Sequence, residues 1–208
     1  LYPLRVMPAR AVSIRPRGVL PGEVVLAGLL GLLRRDRHER TGFELYNAAV
    51  AAARDPYLYV TVGVPDTLDG RFDLVGLHAF LLINRISRAA EPGPKVAQAV
   101  FDAMFSDMDV NLREMGVGDL SVGRRVKHMW DAFHGRSVVY TEALDAGDEP
   151  ALEAALGRNL WRGEAPPAGA TAMLARMVRA QIAALAGQDD AALFRGQVRF
   201  LPAEEACR

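Results

Sequence analysis

This chain of 208 residues has few cysteines and lysines, and it carries no net charge. Its one cysteine, Cys207, is the penultimate residue, which excludes an internal disulfide framework and a zinc site built from cysteines. The 25 basic and 25 acidic side chains balance, which argues against DNA binding. We therefore expect a protein of a reducing compartment, and the preference for arginine over lysine indicates a GC-rich bacterial genome.

Catalytic and nucleotide-binding signatures are also missing. The sequence contains neither GxxxxGK[ST] nor GxGxxG, and its four histidines form no Ser/His/Asp or Cys/His grouping. Asp102, Asp107 and Asp109 diverge around one predicted helix, whereas hard-cation sites converge several oxygen ligands on a loop. The sequence therefore predicts a protein without enzymatic activity, and it predicts neither a cofactor nor a metal ion.

The first 23 residues differ from the rest of the chain. All four of their arginines precede the first acid, Glu23, and four prolines interrupt any amphipathic helix that a transit peptide requires. The apolar run from Val24 to Leu33 has the length of a signal-peptide core, but arginines follow it in place of a small-residue cleavage site. We expect residues 1–23 to be a disordered leader and hypothesise that they precede the natural start, because the chain begins with Leu.

After the leader, helical spacing of apolar residues dominates the sequence. Apolar residues occupy nearly every angle between Phe72 and Ile86, which predicts a buried central helix. We predict that Tyr57 to Val62 is an extended connector, because this strand-like alternation has no second strand to pair with. The fold class is all-α, a single compact multi-helix bundle. The other predicted helices and the internal linker have these bounds: 24–35, 41–54, from 92–94 to 115, from 121 onward with a kink or end at Gly135, 150–161, linker 162–169, 173–185 and 189–194.

The segment from Phe101 to Phe133 is the most distinctive, because an acidic helix and a basic helix meet there across Gly116 and Gly118. We expect Ser121 or Asp119 to cap the second helix. Outward-facing polar residues of both helices are candidates for binding a partner, although a merely solvated face explains them equally well. The candidate partner- or client-binding residues are Asp102, Asp109, Asn111, Arg124, Arg125, Lys127, His128 and Arg136.

Two further features have both a packing and a functional interpretation. Met104, Met108, Met115 and Met129 recur at helical spacing, which favours a buried stripe over a compliant surface for apolar clients. His78 lies inside the apolar central helix, and a hydrogen-bonded core histidine is favoured over a haem ligand.

Two long blocks of sequence are specific enough to indicate a family. They are GVPDTLDGRFDLVGLHAFLLINRI (Gly63 to Ile86) and QAVFDAMFSDMDVNLREMGVGDLSVGRRVKHMWDAFHGR (Gln98 to Arg136). Both resemble the ubiquinol-cytochrome c chaperone family, and the resemblance runs from about Leu32 to about Trp161. We therefore divide the chain into the leader 1–23, a chaperone-like helical domain 24–194 and a tail 195–208.

The resemblance implies a non-enzymatic assembly chaperone of the respiratory chain. Such a protein binds newly made cytochrome b, or its precursor, and supports assembly of the ubiquinol-cytochrome c reductase (cytochrome bc1) complex. The ribosome and a small partner protein are further partners that the resemblance implies.

Two other possibilities stay open at this point. Arg34, Arg35 and Arg37 beside the apolar run allow peripheral contact with an anionic membrane, so we expect a cytoplasmic protein with or without contact at the inner face of the cytoplasmic membrane. The alternative function is a haem-handling or small-molecule-processing helical enzyme that uses His78 and nearby carboxylates.

Overall fold

The computed structural model describes residues 38–208, apart from the side chain of Leu120, and every regular element in this range is a helix. The all-α prediction is confirmed for these residues, while the predicted leader and the predicted helix at 24–35 lie outside them. The helices are α1 (38–53), α2 (Pro56–Val60), α3 (Leu68–Ser87), α4 (Gly93–Glu114), α5 (Asp119–Ala146), α6 (Glu149–Trp161), α7 (Ala170–Ala186), α8 (Asp190–Leu193) and α9 (Ala203–Ala206).

Helix α3 is the axis of the bundle, as its uniform apolar sequence predicts. Leu74, Leu81 and Ile86 are fully or almost fully buried, and α4, α6 and α7 all pack against this helix. Its first turn is capped by Thr67, whose hydroxyl oxygen accepts a hydrogen bond from the backbone N–H of Gly70 at 3.0 Å. The helix therefore begins about one turn before the predicted start.

Helix α4 confirms the predicted apolar stripe. Met104 and Met108 are buried in the core, and Met129 of α5 packs against that core. Met115, at the end of α4, is 49% exposed. The prediction of a buried stripe is therefore confirmed for Met104 and Met108, whereas Met115 faces solvent.

Helix α5 corrects two predictions. It runs unbroken for 28 residues, so the prediction that it ends at Gly135 is wrong, while a kink at that residue stays a prediction. The N-cap is Gly118, without a side-chain capping bond, so the expected cap from Ser121 or Asp119 is also wrong. The helix ends instead at Gly147, whose φ of 65° is the left-handed conformation that glycine adopts at little cost.

The segment 57–62 corrects a third prediction, because most of it belongs to helix α2 and not to an extended connector. Asp55 accepts a hydrogen bond from the backbone N–H of Tyr57, Pro56 occupies the first turn, and Leu58 is completely buried. These contacts stabilise one helical turn where an isolated strand has no partner.

The C-terminal third follows the predicted order of elements. Asp148 caps α6 through the backbone N–H of Ala151, and the linker leads into α7. Beyond α8 the chain returns to the bundle, where α9 packs against α2 and α7 and Cys207 is buried. The domain boundaries at residues 24 and 194 stay a prediction.

Two glycine-to-alanine substitutions test the packing. At Gly42 of α1, a Cβ atom would lie 2.5 Å from the backbone carbonyl of Ala99 in α4. We expect Gly42→Ala to lower the free energy of unfolding by about 1–3 kcal/mol. Gly135 has no neighbour within 4 Å, so Gly135→Ala is expected to raise it by about 0.5–1 kcal/mol. Urea denaturation followed by circular dichroism measures both, and changes of the same sign would contradict the packing described.

Candidate functional site

A cleft of about 1280 Å³ opens between the first five helices, and apolar side chains border its mouth. Val60, Leu68 and Met115 line it although they are 83%, 64% and 49% exposed. Deeper inside, Phe72 and Phe133 are partly buried. Exposed apolar side chains that line one cleft are typical of a surface that another molecule covers.

One wall of the cleft is polar. The hydroxyl of Tyr46 in α1 donates to the Asp107 carboxylate of α4 at 2.7 Å, and the Asn111 side-chain amide donates to the Asp107 backbone carbonyl at 2.7 Å. Burial, followed by the neighbouring Asp107, raises the pKa of Tyr46 well above its ordinary value. Tyr46 therefore stays protonated and keeps donating at neutral pH.

A buried carboxylate lies beneath the cleft. The Asp73 side chain is 1% exposed and accepts hydrogen bonds from Arg162 at 2.7 and 2.9 Å and also from Arg136. The third guanidinium nitrogen of Arg162, Nη1, lies 2.8 Å from the Asp69 carboxylate. Arg162 is the C-cap of α6 and has a φ of 48°. This network therefore joins α3, α5 and the end of α6.

The structure brings four of the eight predicted partner-binding residues to the cleft and leaves the other four outside its lining. Asp109 forms an ion pair with Arg113 at an N–O distance of 2.6 Å, and this hydrogen bond lowers the pKa of Asp109. The residues at the cleft are Asn111, Arg125, His128 and Arg136, and those outside its lining are Asp102, Asp109, Arg124 and Lys127.

Sequence reasoning missed the apolar mouth and the buried network. Val60 and Leu68 carry no sequence signal, because their exposure depends on the helices that surround them. Asp73 does carry one, since it is an acid inside the apolar central helix, and such a group requires cationic partners. Neither Arg136 nor Arg162 is recognisable as that partner from spacing alone.

The interpretation of His78 as a hydrogen-bonded core residue is confirmed. It is 1% exposed, and Nδ1 lies 2.8 Å from the backbone carbonyl of Leu74. The ring of Phe200 meets it edge on, and burial lowers the pKa of His78 below its ordinary 6.5. Among residues 38–208 there is no group of three or more His, Cys, Asp or Glu side chains placed to hold a metal ion.

Known proteins provide an independent comparison. The model of the family described as ubiquinol-cytochrome C chaperone matches residues 60–200, well over half of the chain. The chain belongs to the ubiquinol-cytochrome c chaperone family. The resemblance predicted from the sequence blocks is thereby confirmed.

Relatives in this family include a structure and several vertebrate proteins. The crystal structure of the Cbp3 homolog from Brucella abortus is similar at a TM-score of 0.74 and 35% identity, over 85% of this chain and 98% of that one. "Ubiquinol-cytochrome-c reductase complex assembly factor 1" of Xenopus laevis is 24% identical over 77% of this chain and 80% of its own length. The Mus musculus protein of that name is 23% identical, and this chain spans 55% of its length.

No helix within residues 38–208 combines the length and apolarity that a membrane span requires. Peripheral contact with a membrane stays a prediction.

Replacing the buried carboxylate tests the network beneath the cleft. Asp73→Ala leaves Arg136 and Arg162 without their shared partner, and we expect a loss of about 3 kcal/mol in the free energy of unfolding, at the low end because Arg162 is 43% exposed. The matched control is Asp66→Ala, which breaks the exposed pair with Arg71 and is expected to lower the free energy of unfolding far less, because water screens an exposed ion pair. Equal losses in urea denaturation would show that the network does not stabilise the fold.

The pH dependence of stability tests the burial of His78. In the unfolded chain its pKa is near 6.5 and in the folded chain it is lower, so stability is fully present above about pH 6.5 and is lost as pH falls below it. The expected slope is up to about 1.4 kcal/mol per pH unit relative to His78→Gln. Denaturation of both proteins at a series of pH values between about 7.5 and about 5 measures this slope. Parallel curves would contradict the prediction.

Proposed function

We propose that this protein is a non-enzymatic assembly chaperone of the ubiquinol-cytochrome c reductase complex, and that newly made cytochrome b is its client. The exposed apolar mouth of the cleft, in a protein of this chaperone family, is the observation that carries the proposal. Relatives named as assembly factors of that complex support it. A membrane-protein client before assembly exposes apolar helices that need cover from water.

The dimensions and chemistry of the cleft suit a short helical segment. A helix is about 10 Å across and rises about 1.5 Å per residue, so a volume of about 1280 Å³ accommodates roughly three turns. Each Å² of apolar surface covered contributes about 25 cal/mol. Contact with Val60, Leu68 and Met115 therefore gives affinity without demanding one particular sequence, which suits a chaperone that later releases its client.

Polar residues at the cleft give the bound segment an orientation. Asn111 and Asp107 lie on the α4 wall, while Arg125 and His128 lie on the α5 wall. A client segment with polar groups on its two flanks meets different chemistry on each side. We propose that these residues direct its orientation and that apolar burial supplies most of its affinity.

The remaining candidate residues are on outer surfaces of α4 and α5. Arg124 and Lys127 are exposed, and Lys127 lies 2.9 Å from Asp131. Asp102 is exposed and accepts a hydrogen bond from Gln98. We propose that these polar surfaces bind the ribosome or a small partner protein, through contacts that salt weakens.

The client-binding proposal is tested by placing a charge in the cleft. The Leu68 side chain is 64% exposed, so Leu68→Glu is expected to leave the fold intact. The substitution places a carboxylate where an apolar segment would bind. We expect affinity recovery of cytochrome b precursor with the tagged protein to fall at least about tenfold, and the b and c1 haem signals of the complex to fall in cells that carry the variant.

Val138→Glu is the matched control, because Val138 is 41% exposed and lies outside the cleft lining. It introduces the same charge on the same protein and should leave recovery and haem signals unchanged. Equal recovery with both variants would refute the cleft as the client site. Unchanged haem signals after deletion of the gene would refute the assembly function itself.

A further inference from the structure

The last residues of the chain form a strap, residues 197–207, that returns across the bundle. Along residues 197–200 exposed and partly buried side chains alternate, as in an extended strand. Val198 and Phe200 pack against the core, and the Phe200 ring lies 5.6 Å from that of His78. The strap therefore rests directly on α3, the helix whose residues also line the cleft.

Two glutamines, Gln181 of α7 and Gln188 just beyond the end of that helix, hold the strap by its backbone. The Gln188 side chain donates to the carbonyl of Arg199 at 2.7 Å and accepts from its N–H at 2.9 Å. Gln181 does the same with Leu201, at 2.8 and 3.0 Å. A side-chain amide has both a donor N–H and an acceptor oxygen. Each glutamine therefore bonds the backbone N–H and C=O of one strap residue, as a residue of a neighbouring β-strand would.

Asp55 connects the strap to the wall of the cleft. One of its carboxylate oxygens accepts from the backbone N–H of Tyr57 at 3.0 Å and caps α2. The other accepts from the backbone N–H of Ala203 at 3.0 Å, where α9 begins. A single carboxylate therefore joins the starts of two short helices that are far apart in the chain.

Helix α2 needs such external contacts. It has five residues, and a helix of this length is unstable without tertiary contacts. Buried Leu58 fixes its middle, and Asp55 fixes its start. Pro56, Tyr59 and Val60 of this helix line the cleft, so a shift of α2 changes the shape of the cleft mouth.

We infer that Asp55 is a positioning residue for client binding, and that with the C-terminal strap it holds the α2 wall where a client segment needs it. This inference rests on the proposed function. It adds that Asp55 and the strap, which lie outside the cleft lining, influence the affinity of the cleft for its client. Loosening the strap or removing the Asp55 carboxylate releases α2 and weakens client binding, although no residue that lines the cleft is substituted.

Hydrogen exchange and client recovery on the full chain test this inference together. Asp55→Ala removes both bonds, and Gln188→Ala loosens the strap without touching α2, which keeps the test available if the first variant folds poorly. We expect amides 57–62 to exchange at least about tenfold faster in Asp55→Ala, with a smaller increase in Gln188→Ala. Recovery of cytochrome b precursor should fall roughly three- to tenfold in Asp55→Ala.

Asp148→Ala is the matched control, since it removes the equivalent cap of α6, a helix that does not line the cleft. It should speed exchange at the start of α6 and leave amides 57–62 and client recovery unchanged. All four proteins are compared under conditions where circular dichroism shows them fully folded.

The outcomes separate this inference from the proposed function. If wild-type protein recovers no cytochrome b precursor, the chaperone proposal fails, and exchange alone decides whether the strap holds α2. Unchanged exchange of amides 57–62 in Asp55→Ala overturns the inference. Faster exchange with undiminished recovery overturns it too, because α2 would then be loosened without consequence for the client.

Discussion

The burial of α3 on nearly all sides is the constraint on which the rest of the structure depends. Three other helices pack against it, and their packing encloses a core with almost no exposed aliphatic surface. That burial includes two polar side chains, and a buried polar group must find a partner. His78 finds the Leu74 carbonyl within its own helix. Asp73 instead finds Arg136 and Arg162 on other elements, so a single carboxylate determines how closely α5 and the end of α6 approach the central helix.

The cleft is held by a rigid floor and by walls of unequal stability. Its floor is the side of α3 anchored by Asp73, and its long walls are α4 and α5. The remaining wall includes α2, a five-residue helix that relies on Asp55 and on buried Leu58. Exposed apolar side chains occur on this short helix and at the ends of longer ones. A site built in this way combines a fixed base with an adaptable edge, which suits a chaperone that holds its client and later releases it.

Most of the long helices were predictable because their periodicity is local. The central helix and the methionine stripe of α4 both follow from spacing that each segment carries itself. Helix α2 was not predictable, since one oxygen of its capping residue binds Ala203 near the other end of the chain. The prediction at Gly135 failed for the opposite reason, because it relied on a local signal alone. The flexibility of this glycine suggested that the helix ends there, but α5 continues through it, and Phe133 and Tyr140 on either side pack against the core.

The sequence by itself determined the helical class, the buried central axis and the family. These follow from long ordered blocks and from the angular spacing of apolar residues, which can be recognised without knowing the tertiary contacts. It also supplied all eight candidate polar residues. Only the tertiary structure decided that Asn111, Arg125, His128 and Arg136 reach one cleft and that the others do not. The same holds for the apolar mouth at Val60 and for the strap. Helical spacing fixes the direction of a side chain about its own axis, whereas a cleft depends on how several helices cross, which long-range packing alone sets.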